Sequence, residues 1–157
     1  MEPIKILPHH ASHYFDVFYL GWTPENVVRW YENAVFKQHG IATMRKVINN
    51  LSQLISIVTN KDEDCRMCPR NEFGENPGNP KNFGCYMFDS SSVDFAKRDE
   101  IELAKFLGIA ELLDEKPVQS KYFFQLMRPL YEQLIPDLRS RKTNRFHIRD
   151  RFSPILI

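Results

Sequence analysis

Apolar residues recur at helical spacing after residue 23. Thr23-Pro24-Glu25 is a strong helix start, because a hydroxyl can cap the first turn, proline fits it, and an acid lies near the positive end of the helix dipole. The following pattern predicts one buried face, and Gly40 is expected to end the helix. The residues of that face are Val27, Trp30, Tyr31, Ala34 and Val35.

Other stretches also show a helical pattern. A short helix is expected at about residues 10–19, with Gly21 as its breaker, and a weaker pattern covers 42–53. Ser92 is a second strong start, and Gly108 is well placed to end the helix it opens. A last helix is expected over 120–135, with Pro129 as a candidate kink.

Two short runs instead predict β-strands. Residues 4–7 precede Pro8, and residues 54–59 are apolar and β-branched. We expect these two strands to pair. The fold class predicted is therefore α+β and mostly helical, with about four to five helices, a small two- or three-stranded sheet and a metal-tethered loop.

The tether is inferred from the composition of residues 60–84. This stretch holds three Gly, three Pro and several Asn, with almost no apolar residue to bury. Loops of this length are uncommon in a compact domain unless something holds them. Cys65, Cys68 and Cys85 bracket the stretch, which suggests that a bound ion supplies the restraint.

The cysteine spacing is typical of a metal site. A Cys-x-x-Cys hairpin presents two sulfurs to one ion, and a third cysteine, separated from the pair by 16 residues, can reach the same point. A redox dithiol and inert packed thiols are the alternatives. Pro69 and a Gly/Asn-rich loop follow the pair, where a thioredoxin-like site would open a helix. Zinc would still need a fourth ligand, and His9, His10 and His13 are the nearby candidates if the two strands pair.

Several motifs together carry a family resemblance. The series I-K-I-L-P-H-H, G-W-T-P-E-N-V, D-E-D-C-R-M-C-P and a later cysteine resembles the small bacterial and archaeal proteins grouped as the domain of unknown function 1284, over residues 4–110. The chain departs from that pattern at Leu7, where the family has arginine, and at His13, where it has cysteine. The resemblance therefore implies His13 as the fourth ligand, since imidazole commonly replaces thiolate at a metal.

The resemblance also implies the type of site. Iron–sulfur binding is suspected in that family, whose activity is not established. We expect zinc bound by His13, Cys65, Cys68 and Cys85, with an iron–sulfur cluster as the alternative cofactor. His9 and His10 are then expected either to hydrogen-bond the ligand residues and orient them or to serve as alternative ligands.

Charge is distributed unevenly along the chain, whose net charge is +1. Residues 136–157 hold six basic and two acidic residues, a net charge of +4, whereas the residues before them hold 15 basic and 18 acidic, a net charge of −3. This asymmetry predicts a metal-binding domain over 1–135 and a basic tail over 136–157. The candidate nucleic-acid contacts of the tail are Arg139, Arg141, Lys142, Arg145, Arg149 and Arg151.

Composition bounds the function. A hydrophobic content of 43% and a charged content of 26% are those of an ordinary globular protein. No secretory signal and no apolar run of about 20 residues is present, so we expect a cytoplasmic protein without membrane contact. Four ligands would close the site, which favours a structural metal and an interaction role over an enzyme. The alternatives are an iron–sulfur redox protein and an RNA- or ribosome-associated protein.

Overall fold

The computed structural model describes residues 2–29, 34–59, 93–140 and 146–152. These residues form five α-helices, a three-stranded sheet and two short 3-10 helices, which confirms the predicted mostly helical α+β class. The elements in chain order are β1 Ile4–Ile6, α1 Pro8–Leu20, α2 Pro24–Val27, α3 Ala34–Asn49, β2 Leu54–Ile57, α4 Val93–Leu107, the first 3-10 helix Ala110–Leu112, β3 Val118–Gln119, α5 Ser120–Ser140 and the second 3-10 helix Ile148–Arg151.

The predicted pairing of the first two strands is confirmed. β1 and β2 run parallel, with Ile4 opposite Ile55 and Ile6 opposite Ile57. These isoleucines are buried, because alternate side chains of a strand point to one face. β3 adds an antiparallel third strand beside β2. Parallel strands end at the same edge, so the chain leaves β1 and β2 on the same side of the sheet.

The core lies between the sheet and helices α1, α4 and α5. Its largest fully buried side chains include Phe15 of α1, Leu103 of α4 and Phe123 of α5. Each of these three helices turns apolar side chains towards this core. Among the described helices, none is long and apolar enough to cross a lipid bilayer.

Gly40 does not end a helix, and that prediction was wrong. Thr23 does cap a helix through its hydroxyl, at 3.2 Å from the Asn26 amide nitrogen, but α2 ends at Val27. Helix α3 then runs through Gly40, which is itself buried. Glycine inside a helix costs only about 1 kcal/mol, and burial of Phe36 and neighbouring apolar residues outweighs it.

The buried face predicted for the helix that starts at Thr23 is only partly right. Val27 is buried, whereas Val35 is 63% exposed, because α3 begins at Ala34 and turns a different stripe inward. The buried residues of α3 are Phe36, Gly40, Ile41, Met44 and Val47. Trp30 and Tyr31 lie outside the described residues.

Two predicted glycine helix ends are confirmed. Gly21 and Gly108 both adopt left-handed backbone angles after α1 and α4, with φ of 77° and 86°. At Gly108 the reason is also steric, since a Cβ would lie 2.7 Å from the carbonyl oxygen of Leu126.

The last helix is longer than expected. Helix α5 continues past 135 to Ser140 and contains both Pro129 and Pro136. The charge-based boundary at 135/136 therefore falls inside this helix. Beyond it, residues 146–152 lie against the body, and Ile148 is fully buried in the core beside α1.

Candidate functional site

The candidate site begins where β1 ends and α1 starts. Leu7 is extended, and its carbonyl accepts hydrogen bonds from the backbone N–H groups of His10, at 3.0 Å, and Ala11, at 2.8 Å. Pro8 opens the helix, a position where its missing N–H is not needed. His9 and His10 therefore lie in the first turn, and both are buried.

Glu100 of α4 holds His9 through both of its carboxylate oxygens. Oε1 contacts Nδ1 of the His9 ring, and Oε2 accepts the His9 backbone N–H at 3.0 Å. Both side chains are 5% exposed. A buried carboxylate needs such partners, because desolvation of an unpaired charge is costly. The contact fixes the orientation of His9 relative to α4.

The three histidines of α1 lie together, as the sequence predicted. The ring centroids of His9 and His10 are 4.0 Å apart, and those of His10 and His13 are 6.2 Å apart. His9 and His13 are four residues apart on one helix, a spacing that places both side chains on the same face.

His13 is held in its neutral form. Burial lowers the pKa of His13 well below its usual value of 6.5, and the charges of His10, His9, Arg149 and His147 lower it further. A neutral imidazole is the form that binds metal ions. His13 therefore needs no deprotonation at neutral pH to act as a ligand.

The chain enters the cysteine-containing segment at the same edge of the sheet. The N–H of Val58, just after β2, donates to the carbonyl of Ile6 at 3.0 Å. Thr59 is held by Asp114, whose carboxylate accepts from the Thr59 N–H at 3.2 Å and from its hydroxyl at 2.8 Å. Thr59, the last described residue before the cysteines, is thus anchored to Asp114, next to the point where Val58 pairs with the end of β1.

The cysteines themselves, Cys65, Cys68 and Cys85, lie outside the described residues. Within the part of the chain that the structure describes, no group of three or more His, Cys, Asp or Glu side chains is arranged to bind a metal ion. The described residues fit part of such a site, through two imidazoles on one helix face and a carboxylate partner for one of them. Further donors would have to come from elsewhere in the chain.

Sequence reasoning missed Glu100. A signal was present, since Glu100 lies on the same helical stripe as Leu103, Ala104 and Leu107, all fully buried. A charged residue within an apolar stripe requires a buried partner. The sequence could not identify that partner as His9, which is 91 residues away.

A second buried carboxylate, Asp16, holds residues of the C-terminal tail. Its oxygens lie 2.7 Å from the Ile148 backbone nitrogen and 2.9 Å from Nδ1 of His147. The His147 ring stacks on Trp22, with centroids 4.2 Å apart. Burial raises the pKa of Asp16 to about 6, although the bonds from Ile148 and His147 act in the opposite direction.

The candidate nucleic-acid contacts are only partly described. Arg139 is exposed at the end of α5, whereas Arg141, Lys142 and Arg145 lie outside the described residues. Arg151 forms an ion pair with Asp137, and its guanidinium carbon lies 4.3 Å from the centre of the Phe146 ring. Arg149 is partly buried beside His13. Arg149 and Arg151 therefore both lie close to other groups of the protein.

Comparisons with protein-family models, with curated proteins and with solved structures found no match to this chain.

Proposed function

We propose that the protein binds one metal ion at the edge of the sheet where β1 and β2 end, with Cys65, Cys68, Cys85 and His13 as ligands. The parallel pairing of the two strands carries this proposal, because it puts the histidines of α1 and the chain leaving Thr59 at one edge. The neutral state of His13 supports its role as a ligand. The ion would order the segment that follows Thr59.

Zinc is the ion that suits this donor set best. It accepts three thiolates and one imidazole in a tetrahedral site and has no redox requirement. Iron–sulfur clusters are usually held by four thiolates, and imidazole ligation is a minority arrangement that raises their potential. A closed, four-ligand zinc site leaves no position for a substrate. We therefore infer a structural metal and an interaction role with a protein partner.

Metal content of the full-length protein tests the proposal. After anaerobic purification, elemental analysis should find about one zinc per chain, and the protein should be colourless. His13→Ala should weaken zinc binding strongly, and His13→Cys should preserve it. His39→Ala is the control, because His39 lies on α3 rather than on α1.

Three results would change the proposal. Brown protein containing iron and acid-labile sulfide would replace zinc with a cluster and favour the redox alternative. Unchanged zinc affinity in His13→Ala would remove His13 from the ligand set. Absence of any bound metal, with no uptake of added zinc, would contradict the proposed function itself.

RNA or ribosome binding through the tail is the weaker alternative. Exposed Arg139 favours it, but Arg151 already pairs with Asp137. If the tail binds phosphates, affinity for a generic RNA should fall steeply as salt increases, because each contact releases counterions. Absence of binding at low salt would reject this alternative.

A further inference from the structure

Residues 146–152, which include the second 3-10 helix, lie on the body as a short segment that we call the C-terminal clasp. The residues that join it to α5, 141–145, lie outside the described residues. Ile148 of the clasp is fully buried in the core, and the ring of Phe152 lies 5.5 Å from the ring of Phe106 on α4. A short segment held by side-chain anchors of this kind can open locally while the rest of a protein stays folded.

The end of α1 and the residues just after it bind the backbone of the clasp. The Asp16 carboxylate accepts the Ile148 N–H at 2.7 Å, and the Trp22 indole N–H donates to the Phe146 carbonyl at 3.0 Å. Between them, the His147 ring stacks on Trp22, and its Nδ1 lies 2.9 Å from the second oxygen of Asp16. Two side chains near the end of α1 therefore hold three consecutive residues of the clasp.

The Asp16 carboxylate takes its hydrogen bonds from the clasp. Among the described residues, the partners of its two oxygens are Ile148 and His147. Asp16 is 1% exposed, so an ionised carboxylate at this position loses its hydration and keeps these two bonds in exchange. Because its oxygens face the clasp, release of the clasp would return the carboxylate to water.

Protonation of Asp16 is therefore linked to docking of the clasp. Burial raises the pKa of Asp16 to about 6, the bonds from Ile148 and His147 act in the opposite direction, and the charge of Asp150 also raises it. His147 and Asp150, the titratable groups that act on Asp16, both belong to the clasp. The His147 cation and the Nδ1–H tautomer of the neutral ring can both donate to Asp16, so this contact persists in either charge state of His147.

We propose that the clasp opens from α1 as a unit while the body stays folded, and that the charge of Asp16 controls this opening. The clasp is held more tightly in acid than at neutral pH, because burial costs more for the ionised carboxylate than for the neutral carboxyl. Opening makes Ile148, Arg149 and Arg151 available for other contacts. This switch does not depend on the proposed metal site.

Hydrogen exchange of the full-length chain tests the proposal, with rates converted to protection factors to remove the intrinsic effect of pH. The Ile148 N–H and the Trp22 indole N–H should report the same opening constant, since both bond across the contact between the clasp and α1. Both should be less protected than the amides of the central strand β2. From pH 5 to pH 8 the protection factor of Ile148 should fall about tenfold, as expected for a carboxyl with a pKa of about 6 when docked and 3.8 when free.

Two variants separate the charge of Asp16 from the other contacts of the clasp. Asp16→Asn can still accept the Ile148 N–H but does not titrate, so its protection factors at pH 5 and pH 8 should be nearly equal. Asp137→Asn is the control, because it removes the partner of Arg151. This control should lower protection by the same factor at both pH values and keep the tenfold ratio.

The wild-type measurements decide the proposal even if Asp16→Asn fails to fold. Protection of Ile148 equal to that of β2 would overturn it, because the clasp would then open only when the whole protein unfolds. Different opening constants for Ile148 and the Trp22 indole would show that the clasp does not open as a unit. A protection factor of Ile148 that is the same at pH 5 and pH 8, or a tenfold fall that persists in Asp16→Asn, would exclude Asp16 as the controlling group.

Discussion

Glu100 and Asp16 are both almost fully buried, and each carboxylate contacts one backbone N–H and one imidazole. Glu100 joins α4 to the first turn of α1, and Asp16 joins the last part of α1 to residues 147 and 148. Buried carboxylates persist only when their oxygens are satisfied in this way. Two buried carboxylates therefore join α1 to two segments that are distant in sequence, α4 and residues 147–148.

The raised pKa of Asp16 predicts a pH-dependent stability. Since the folded-state pKa is about 6 and the unfolded value is 3.8, the folded protein binds more protons between these pH values. This contribution to the free energy of unfolding is complete below pH 3.8 and is lost as pH rises through 6. At about 1.4 kcal/mol per pKa unit, the loss is about 3 kcal/mol.

Urea unfolding of the wild type and of Asp16→Asn at pH 4 and pH 7 measures this contribution. The difference in free energy of unfolding, wild type minus variant, should decrease by about 2 kcal/mol from pH 4 to pH 7, because the unfolded-state carboxyl is already partly ionised at pH 4. The Asp16→Asn variant is the control, because it lacks only the Asp16 carboxyl and shares the other titrating groups with the wild type. An equal difference at the two pH values would contradict the raised pKa.

At the scale of elements, helix α1 is the one against which several other elements pack. It packs against α4, α5 and the second 3-10 helix, and its first turn carries the histidine cluster. The second 3-10 helix inserts Ile148 into the core beside it. The basic tail, which stands out in the sequence by its positive charge, therefore also contributes an apolar side chain to the core.

Substitution of Ile148 tests that contribution. Ile148→Ala should lower the free energy of unfolding by about 2–5 kcal/mol, because it removes a fully buried side chain and leaves a cavity. Val35→Ala is the matched control. At 63% exposure, Val35 should change stability by no more than about 0.5 kcal/mol. Chemical denaturation measures both, and similar small losses would mean that residues 146–152 are dispensable to the core.

At the scale of the whole molecule, the ends of the segment between β2 and α4 are tied to the same region. Asp114 holds Thr59, just after β2, and α4 carries Glu100 to His9. The pairing of β1 with β2 therefore brings the entrance of the cysteine-containing segment towards the start of α1, and the contact between Glu100 and His9 joins α4 to the same helix. Our proposed metal ion would act between these fixed points.

Removal of the metal tests this arrangement. Residues 60–84 contain too little apolar surface to offset their conformational entropy, so their order should depend on the ion. A strong chelator should raise amide hydrogen exchange within 60–84, while α3 and α5 should remain protected by their buried apolar faces. Elemental analysis should verify complete removal. Unchanged exchange in 60–84 after complete removal would contradict the tether.

The sequence by itself determined those features that depend on neighbouring residues. Thr23 and Pro24 marked a helix start, Gly21 and Gly108 marked helix ends, and the β-branched run at residues 54–59 marked a strand. Each signal works through hydrogen bonds or backbone angles within a few residues. The histidine cluster could be found in the same way, because His9, His10 and His13 all lie in the first two turns of one helix.

Only the tertiary structure decided features that depend on distant partners. Gly40 continues a helix because core packing outweighs its low helix propensity. Glu100 meets His9 across 91 residues, and Asp16 meets Ile148 across 132 residues. A sequence pattern shows that a buried charge needs a partner but cannot say which one, since that depends on how the sheet and helices bring separated segments together.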